Sequence, residues 1–140
     1  MSVYLDANVI VALFVKDVFS SRVLAFMARR PADVIVSDFA SAEFASVLGV
    51  RCRTGAVSIR QAKAALANFD AWVGANAVMA ETSSADIRAA EAVLRRLDLT
   101  LRTPDAIHIA LARRMNAELA TLDMRMAAEA TTLGIKLAAV

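Results

Sequence analysis

The chain has 140 residues, 59% of them hydrophobic, one cysteine and a formal charge of +2. That length suits one domain, residues 1–140, with a substantial core, and the lone Cys52 excludes an intramolecular disulfide framework or a cysteine zinc cage. No apolar run approaches the ~20 residues that span a bilayer, and the first apolar run has no basic leader or cleavage pattern ahead of it, so no membrane role and a cytoplasmic protein are expected.

Val3-Tyr4-Leu5 reads as a short buried strand and the residues from Ala7 to Val15 as a buried helix. Asp6, the one charge in that run, therefore closes a strand at its carboxyl end, where open α/β sheets place their ligands. An ionised carboxylate in such surroundings is costly unless something positive meets it. Ser20 or Ser21 caps a helix running to about Arg30, with Val23, Leu24, Phe26 and Met27 inward, and Pro31 stops it. Val34-Ile35-Val36 reads as a second buried strand, and Ser37 or Asp38 caps a helix over 39–53 that ends near Gly55.

Ser58 caps the next helix, with Ile59, Ala62, Leu66, Phe69 and Val73 inward and Gly74 closing it; Trp72 and Cys52 take core positions. A weak third strand covers 77–80. Ser83 or Ser84 then opens a helix to Leu97 with Ile87, Ala90, Leu94 and Leu97 inward, and Glu91 and Arg95 pair on its surface. Thr103 as N-cap and Pro104 at N1 start a helix to about Met115. Residues 118–122 form a fourth strand ending at Asp123, a last helix precedes Gly134, and Ile135-Lys136-Leu137 suits a fifth, edge strand. Strands alternating with helices predict an α/β sandwich around a mostly parallel sheet.

Four acids stand in unusual places. Besides Asp6, Glu43 falls mid-helix among small and apolar residues with no Lys or Arg three or four positions away. Asp105, at N2 of its helix, also complements a helix dipole, worth typically ~0.3–1 kcal/mol, and Asp123 also suits a turn. Asp6 and Asp123 both close strands of one sheet, and Asp105 opens the helix that leads into the second of them. Four carboxylates converging there would repel one another, and a hard divalent cation with oxygen-only ligation, Mg²⁺ or Mn²⁺, removes the conflict. Two such ions can stabilise both the attacking and the leaving oxygen of a phosphodiester. His108, surrounded by Ile107, Ile109, Ala110 and Leu111, reads as a packed structural side chain.

These motifs together resemble a PIN-domain ribonuclease, and within that family a VapC-type toxin of a toxin–antitoxin pair. The matching pieces are Leu5-Asp6-Ala7-Asn8, Ala42-Glu43, the run Leu101-Arg102-Thr103-Pro104-Asp105-Ala106-Ile107-His108-Ile109-Ala110, and Thr121-Leu122-Asp123. The resemblance implies a three-layer α/β/α fold with four to five strands in the order 3-2-1-4-5. It makes Asp6, Glu43, Asp105 and Asp123 the catalytic quartet that binds Mg²⁺ or Mn²⁺, with Asn8, Thr121 and Thr103 as supporting polar groups. It also implies endonucleolytic RNA cleavage, a homodimer, and a cognate antitoxin whose peptide enters the acidic groove. Two features depart from the family pattern: Asn8, where Ser or Thr is also frequent, and the segment Met124-Arg125-Met126-Ala127.

Thirteen of the sixteen basic residues are Arg, the better bidentate phosphate ligand. Arg29, Arg30, Arg51, Arg53, Arg60, Arg113 and Arg114 are candidates for phosphate contact, and Arg102, beside the start of the Asp105 helix, is the preferred contact for RNA or antitoxin. Two alternatives stay open. A phosphatase with Asp6 as nucleophile would want a second carboxylate where Asn8 stands. A receiver-like or purely interacting domain would want a strand-end lysine, and Lys16, Lys63 and Lys136 are the only lysines.

Overall fold

Alternation along the strands sorts the apolar residues onto two faces of a sheet. The computed structural model describes residues 1–29 and 33–140, so Arg30 and Pro31, with the expectations placed on them, lie outside the described residues. Strands β1 (Val3–Leu5), β2 (Val34–Ser37), β3 (Ala77–Ala80) and β4 (Glu118–Ala120) form a parallel sheet in the order β3-β2-β1-β4. Val3, Leu5, Val34 and Val36 point to one core, while Tyr4 and Ile35 point to the other, as a period of two requires. The first core is covered by α1 (Ala7–Phe14), α2 (Ser20–Arg29), α3 (Asp38–Arg53) and α4 (Ile59–Asn76). The second is covered by α5 (Ser84–Leu94), α6 (Thr103–Arg114) and α7 (Met124–Thr132). The result is the expected three-layer α/β/α arrangement.

β1 lies at the centre, paired with β2 on one side and β4 on the other, so the chain reverses its winding direction at the β1–β4 seam. Such a switch point opens a crevice at the strands' carboxyl ends. The aromatic rings of Phe14, Phe44, Phe69 and Trp72 lock α1, α3 and α4 together, with Phe44 and Phe69 centroids 5.0 Å apart and Phe14 and Phe69 5.5 Å apart.

The departures from the sequence reading are local. Residues 135–137 do not form a full strand; Leu137 makes one isolated parallel bridge to Leu119 after the left-handed turn at Gly134. β4 stops at Ala120, so Asp123 lies beyond the strand, as N-cap of α7. α4 runs through Gly74 to Asn76. α6 begins one residue early: Arg102 is the N-cap and Thr103 takes N1, because the Asp105 carboxylate accepts the Arg102 N–H at 2.9 Å. Asp105 therefore stands at N3. Leu24, Ile59, Ile87 and Leu97, expected inward, are exposed. Helical period alone does not register where a neighbour stops: α5 ends at Leu94, and Leu97 follows with φ of 62° and 90% exposure. Glu91 and Arg95 do pair, at 2.8 Å.

Packing of α5 on α6 encloses one charge the periodicity overlooks. Asp86 is 2% exposed, accepts from the Ser83 backbone N–H and hydroxyl, and receives Arg114 Nε at 2.7 Å and Nη2 at 3.0 Å. Burial pushes the Asp86 carboxyl up, but the Arg114 and Ser83 hydrogen bonds outweigh it and hold it below the usual carboxylate range. A depressed folded-state value contributes stability above the unfolded value of about 3.9 and loses it as the pH falls. Arg114→Ala should therefore cost about 2 kcal/mol in urea unfolding at pH 7, and the difference from wild type should shrink as the pH drops below about 4.

Candidate functional site

Asp6 ends β1 and is the N-cap residue of α1, yet its side chain does not cap that helix. It turns into the crevice instead, 6% exposed, with Oδ2 accepting the Thr121 hydroxyl at 2.7 Å and Oδ1 3.4 Å from His108 Nε2. Thr121 is held in turn. Asn8 Nδ2 donates to its Oγ1 at 3.2 Å, Asn8 Oδ1 accepts the Leu122 N–H at 3.0 Å, and Thr121 Oγ1 accepts the Asp123 N–H at 3.1 Å. Asn8 thus reaches Asp6 through Thr121 and not by direct contact.

Glu43 lies on α3 directly before Phe44, whose ring is fixed in the aromatic cluster. Its carboxylate is partly exposed, and Oε2 hydrogen-bonds His108 Nε2. Asp105 is 7% exposed and Asp123 half-buried, with Asp123 Oδ1 accepting the N–H groups of Arg125 at 2.9 Å and Met126 at 3.0 Å. All four acids line one open cleft of about 660 Å³, together with Asn8, His108, Arg102 and Arg51. An apolar wall of Val11, Phe19, Val47 and Leu122 flanks the acids.

Within the cleft the tightest group is Asp6, Glu43 and His108, whose ligand-capable atoms lie within 4.8 Å of one another. Asp105 and Asp123 share the cleft but not that group. Thr103 is exposed at the start of α6 and Arg102 is exposed at the rim. His108 was readable from sequence as buried, and it is, at 2% exposure, but its Nε2 meets two carboxylates and its Nδ1 lies 2.7 Å from the Tyr4 hydroxyl. Tyr4 and Ser37, hydrogen-bonded at 2.7 Å, belong to the same constellation and escaped the sequence reading. The available signal was the one hydroxyl in Val3-Tyr4-Leu5, since a buried tyrosine needs a partner.

The electrostatics suit a cation. Burial pushes the Asp6 carboxyl up, His108 and the Thr121 hydrogen bond pull it down, and the nearby Glu43 carboxylate raises it again. An oxygen-dominated donor set of this kind fits a hard divalent ion. The two alternative chemistries lose ground: position 8 carries an amide engaged with Thr121 and Leu122, and among the described residues no lysine lines the cleft.

The PIN domain family profile matches residues 3–130. No curated protein matches the chain in sequence. Among solved structures, VapC20 of Mycobacterium tuberculosis, described as a sarcin-ricin loop cleaving toxin, is 21% identical with a TM-score of 0.74, covering 91% of this chain and 94% of that one. VapBC2 of Rickettsia felis, bound to a promoter DNA fragment, is 15% identical with a TM-score of 0.68, covering 98% and 97%. A toxin–antitoxin complex from Klebsiella pneumoniae is 19% identical with a TM-score of 0.58, covering 86% of each chain. At these identities the likeness is one of fold.

An acid whose folded-state pKa is raised opposes folding once it ionises, so stability is lost as the pH rises above the unfolded value. Asp6→Asn should accordingly raise the Tm of the cation-free protein at pH 7, on a scale of about 3–4 °C per kcal/mol for a chain of this size. A divalent cation should raise the Tm of wild type and not of Asp6→Asn, as differential scanning calorimetry with and without EDTA would record.

Proposed function

The chain belongs to the PIN-domain family, and from that premise we propose that it is a metal-dependent endoribonuclease, hydrolysing RNA phosphodiester bonds as the toxin of a toxin–antitoxin pair. The observation that carries this reading is the convergence of Asp6, Glu43, Asp105 and Asp123, from four separate parts of the chain, on one open cleft beyond the carboxyl ends of β1 and β4. Mg²⁺ or Mn²⁺ would be held by Asp6 and Glu43, with Asp105 and Asp123 completing the set. Such an ion, when bound, supplies charge for the phosphoryl oxygens and lowers the pKa of water.

The rest of the work falls to the chain's own side chains. Thr121, aimed by Asn8, fixes the direction of Asp6. Arg102, exposed at one rim, and Arg51, half-buried and 3.8 Å from Asp17, offer phosphate contacts within the cleft. An open cleft admits a strand of nucleic acid, whereas an enclosed pocket would restrict it to a small molecule. The apolar wall of Val11, Phe19, Val47 and Leu122 beside the acids suits an antitoxin segment that presents an apolar and a basic residue together. In this reading the protein acts in the cytoplasm as a homodimer, with RNA and a cognate antitoxin as partners. Among the described residues, no helix is long and apolar enough to cross a membrane.

Purified without antitoxin, the protein should cut RNA in Mg²⁺ or Mn²⁺ and stop on addition of EDTA. Asp6→Ala and Asp105→Asn should each lower the rate by more than about a hundredfold, since losing a ligand costs at least what losing a supporting partner does. Sequencing RNA 5′ ends after induced expression of wild type beside Asp6→Ala would locate the cut. Undiminished cleavage by Asp6→Ala would sink this function.

A further inference from the structure

The chain contains a single histidine, and its two ring nitrogens face different neighbours. Nδ1 lies 2.7 Å from the Tyr4 hydroxyl, which lies 2.7 Å from Ser37 Oγ, and that oxygen accepts the Ala40 N–H at 3.0 Å as the N-cap of α3. Nε2 meets Glu43 Oε2 and stands 3.4 Å from Asp6 Oδ1. One direction of donation satisfies every member of this chain. Nε2 faces two carboxyl groups and Nδ1 faces a hydroxyl, so a hydrogen on Nε2 gives each ring nitrogen a complementary partner. At the far end Ser37 Oγ has accepted from Ala40, and its own hydrogen is available to Tyr4. The Tyr4 hydrogen then goes to Nδ1. Burial raises the Tyr4 hydroxyl far above its ordinary range, which keeps that hydrogen in place. The circuit closes on α3, which carries Ser37 as its cap and Glu43 further along the same helix.

We propose that His108 is a positioning residue of the cation site: its Nε2–H holds the Glu43 and Asp6 carboxylates toward each other, and it keeps that hydrogen when Mg²⁺ binds instead of becoming a ligand. The inference rests on the cation-dependent reading of the same site. Two observations favour donor over ligand. The ring is confined between Phe39 and Tyr4, with centroids 5.1 Å and 5.7 Å away, and its Nδ1 lies 2.7 Å from a hydroxyl able to donate to it, an arrangement that matches a hydrogen on Nε2. Imidazole is also a poor match for Mg²⁺, while each carboxylate keeps further lone pairs for the ion.

Because the histidine is unique, ¹⁵N-histidine-labelled protein gives one pair of ring-nitrogen resonances. Nε2 should be protonated both in EDTA and in saturating Mg²⁺. An unprotonated Nε2 in EDTA, or loss of its hydrogen when Mg²⁺ is added, overturns the proposal. Mn²⁺ affinity, read by electron paramagnetic resonance, should weaken about 10–100-fold in His108→Ala. His108→Gln, whose amide N–H reaches the place of Nε2, should recover most of that loss, and Tyr4→Phe should weaken affinity about threefold or more in the same direction. Unchanged affinity in both His108→Ala and Tyr4→Phe also overturns it; if His108→Ala does not fold, the resonances and Tyr4→Phe decide. None of these readouts needs RNA cleavage. A protein that passes them and cuts no RNA refutes the nuclease reading alone, and one that cuts RNA and fails them refutes the role of His108 alone.

Discussion

The backbone leaves Asp6 nowhere else to be. Its N–H bonds the Ala120 carbonyl at 3.0 Å, continuing the β1–β4 pairing, and its carbonyl accepts the first bonds of α1. A residue so placed would ordinarily turn its carboxylate back to cap the helix, which is worth ~1 kcal/mol. Asp6 forgoes that contact and presents its oxygens to the crevice. Each oxygen is then met from a different side: Thr121 from beyond β4 and His108 from α6. The pairing of two strands thereby fixes the direction of one carboxylate, and every other group in the cleft is arranged with respect to it.

The scaffold explains why the partners stay put. Glu43 has few bonds of its own, but Phe44 beside it is wedged against Phe14 and Phe69, and Ser37 caps the same helix. Rotation of α3 would break the apolar and the polar anchorage together. On the opposite face, the Asp86–Arg114 pair ties α5 to α6, and α6 carries both Asp105 and His108. The two faces of the sheet each deliver one side of the cleft, and Tyr4, crossing from β1 into the second core, is the side chain that joins them.

Much of this was legible in the sequence where the signal was local. A lone charge in an apolar run marked Asp6, serine caps marked the starts of α3, α4 and α5, and alternation of strands and helices gave the layers. What escaped depends on distance along the chain. Tyr4, Ser37 and His108 are separated by 33 and 104 positions, so no periodicity connects them. The exposure of Ile59, Ile87 and Leu97 follows from where neighbouring elements end, which a helical period does not encode. The one-residue shift at Arg102 has a local cause, since Asp105 competes successfully with Thr103 for the capping role.

Competition of that sort recurs through the cleft and accounts for its character. Asp105 uses Oδ2 to start α6, and Asp123 uses Oδ1 to start α7. Asp6, at the start of α1, makes no such cap. Three acids thus stand at or beside helix N-termini, where the dipole favours negative charge by ~0.3–1 kcal/mol each, and Asp105 and Asp123 commit an oxygen to the backbone N–H groups that open their helices. Asp6 and Glu43 are the pair that face one side chain in common, His108. Burial makes the ionised form of Asp6 costly, and neutral donors such as Thr121 offset only part of that cost. With Asp105 and Asp123 turned toward the helices they start and Asp6 and Glu43 both facing His108, the space between Asp6 and Glu43 is where a cation gains most.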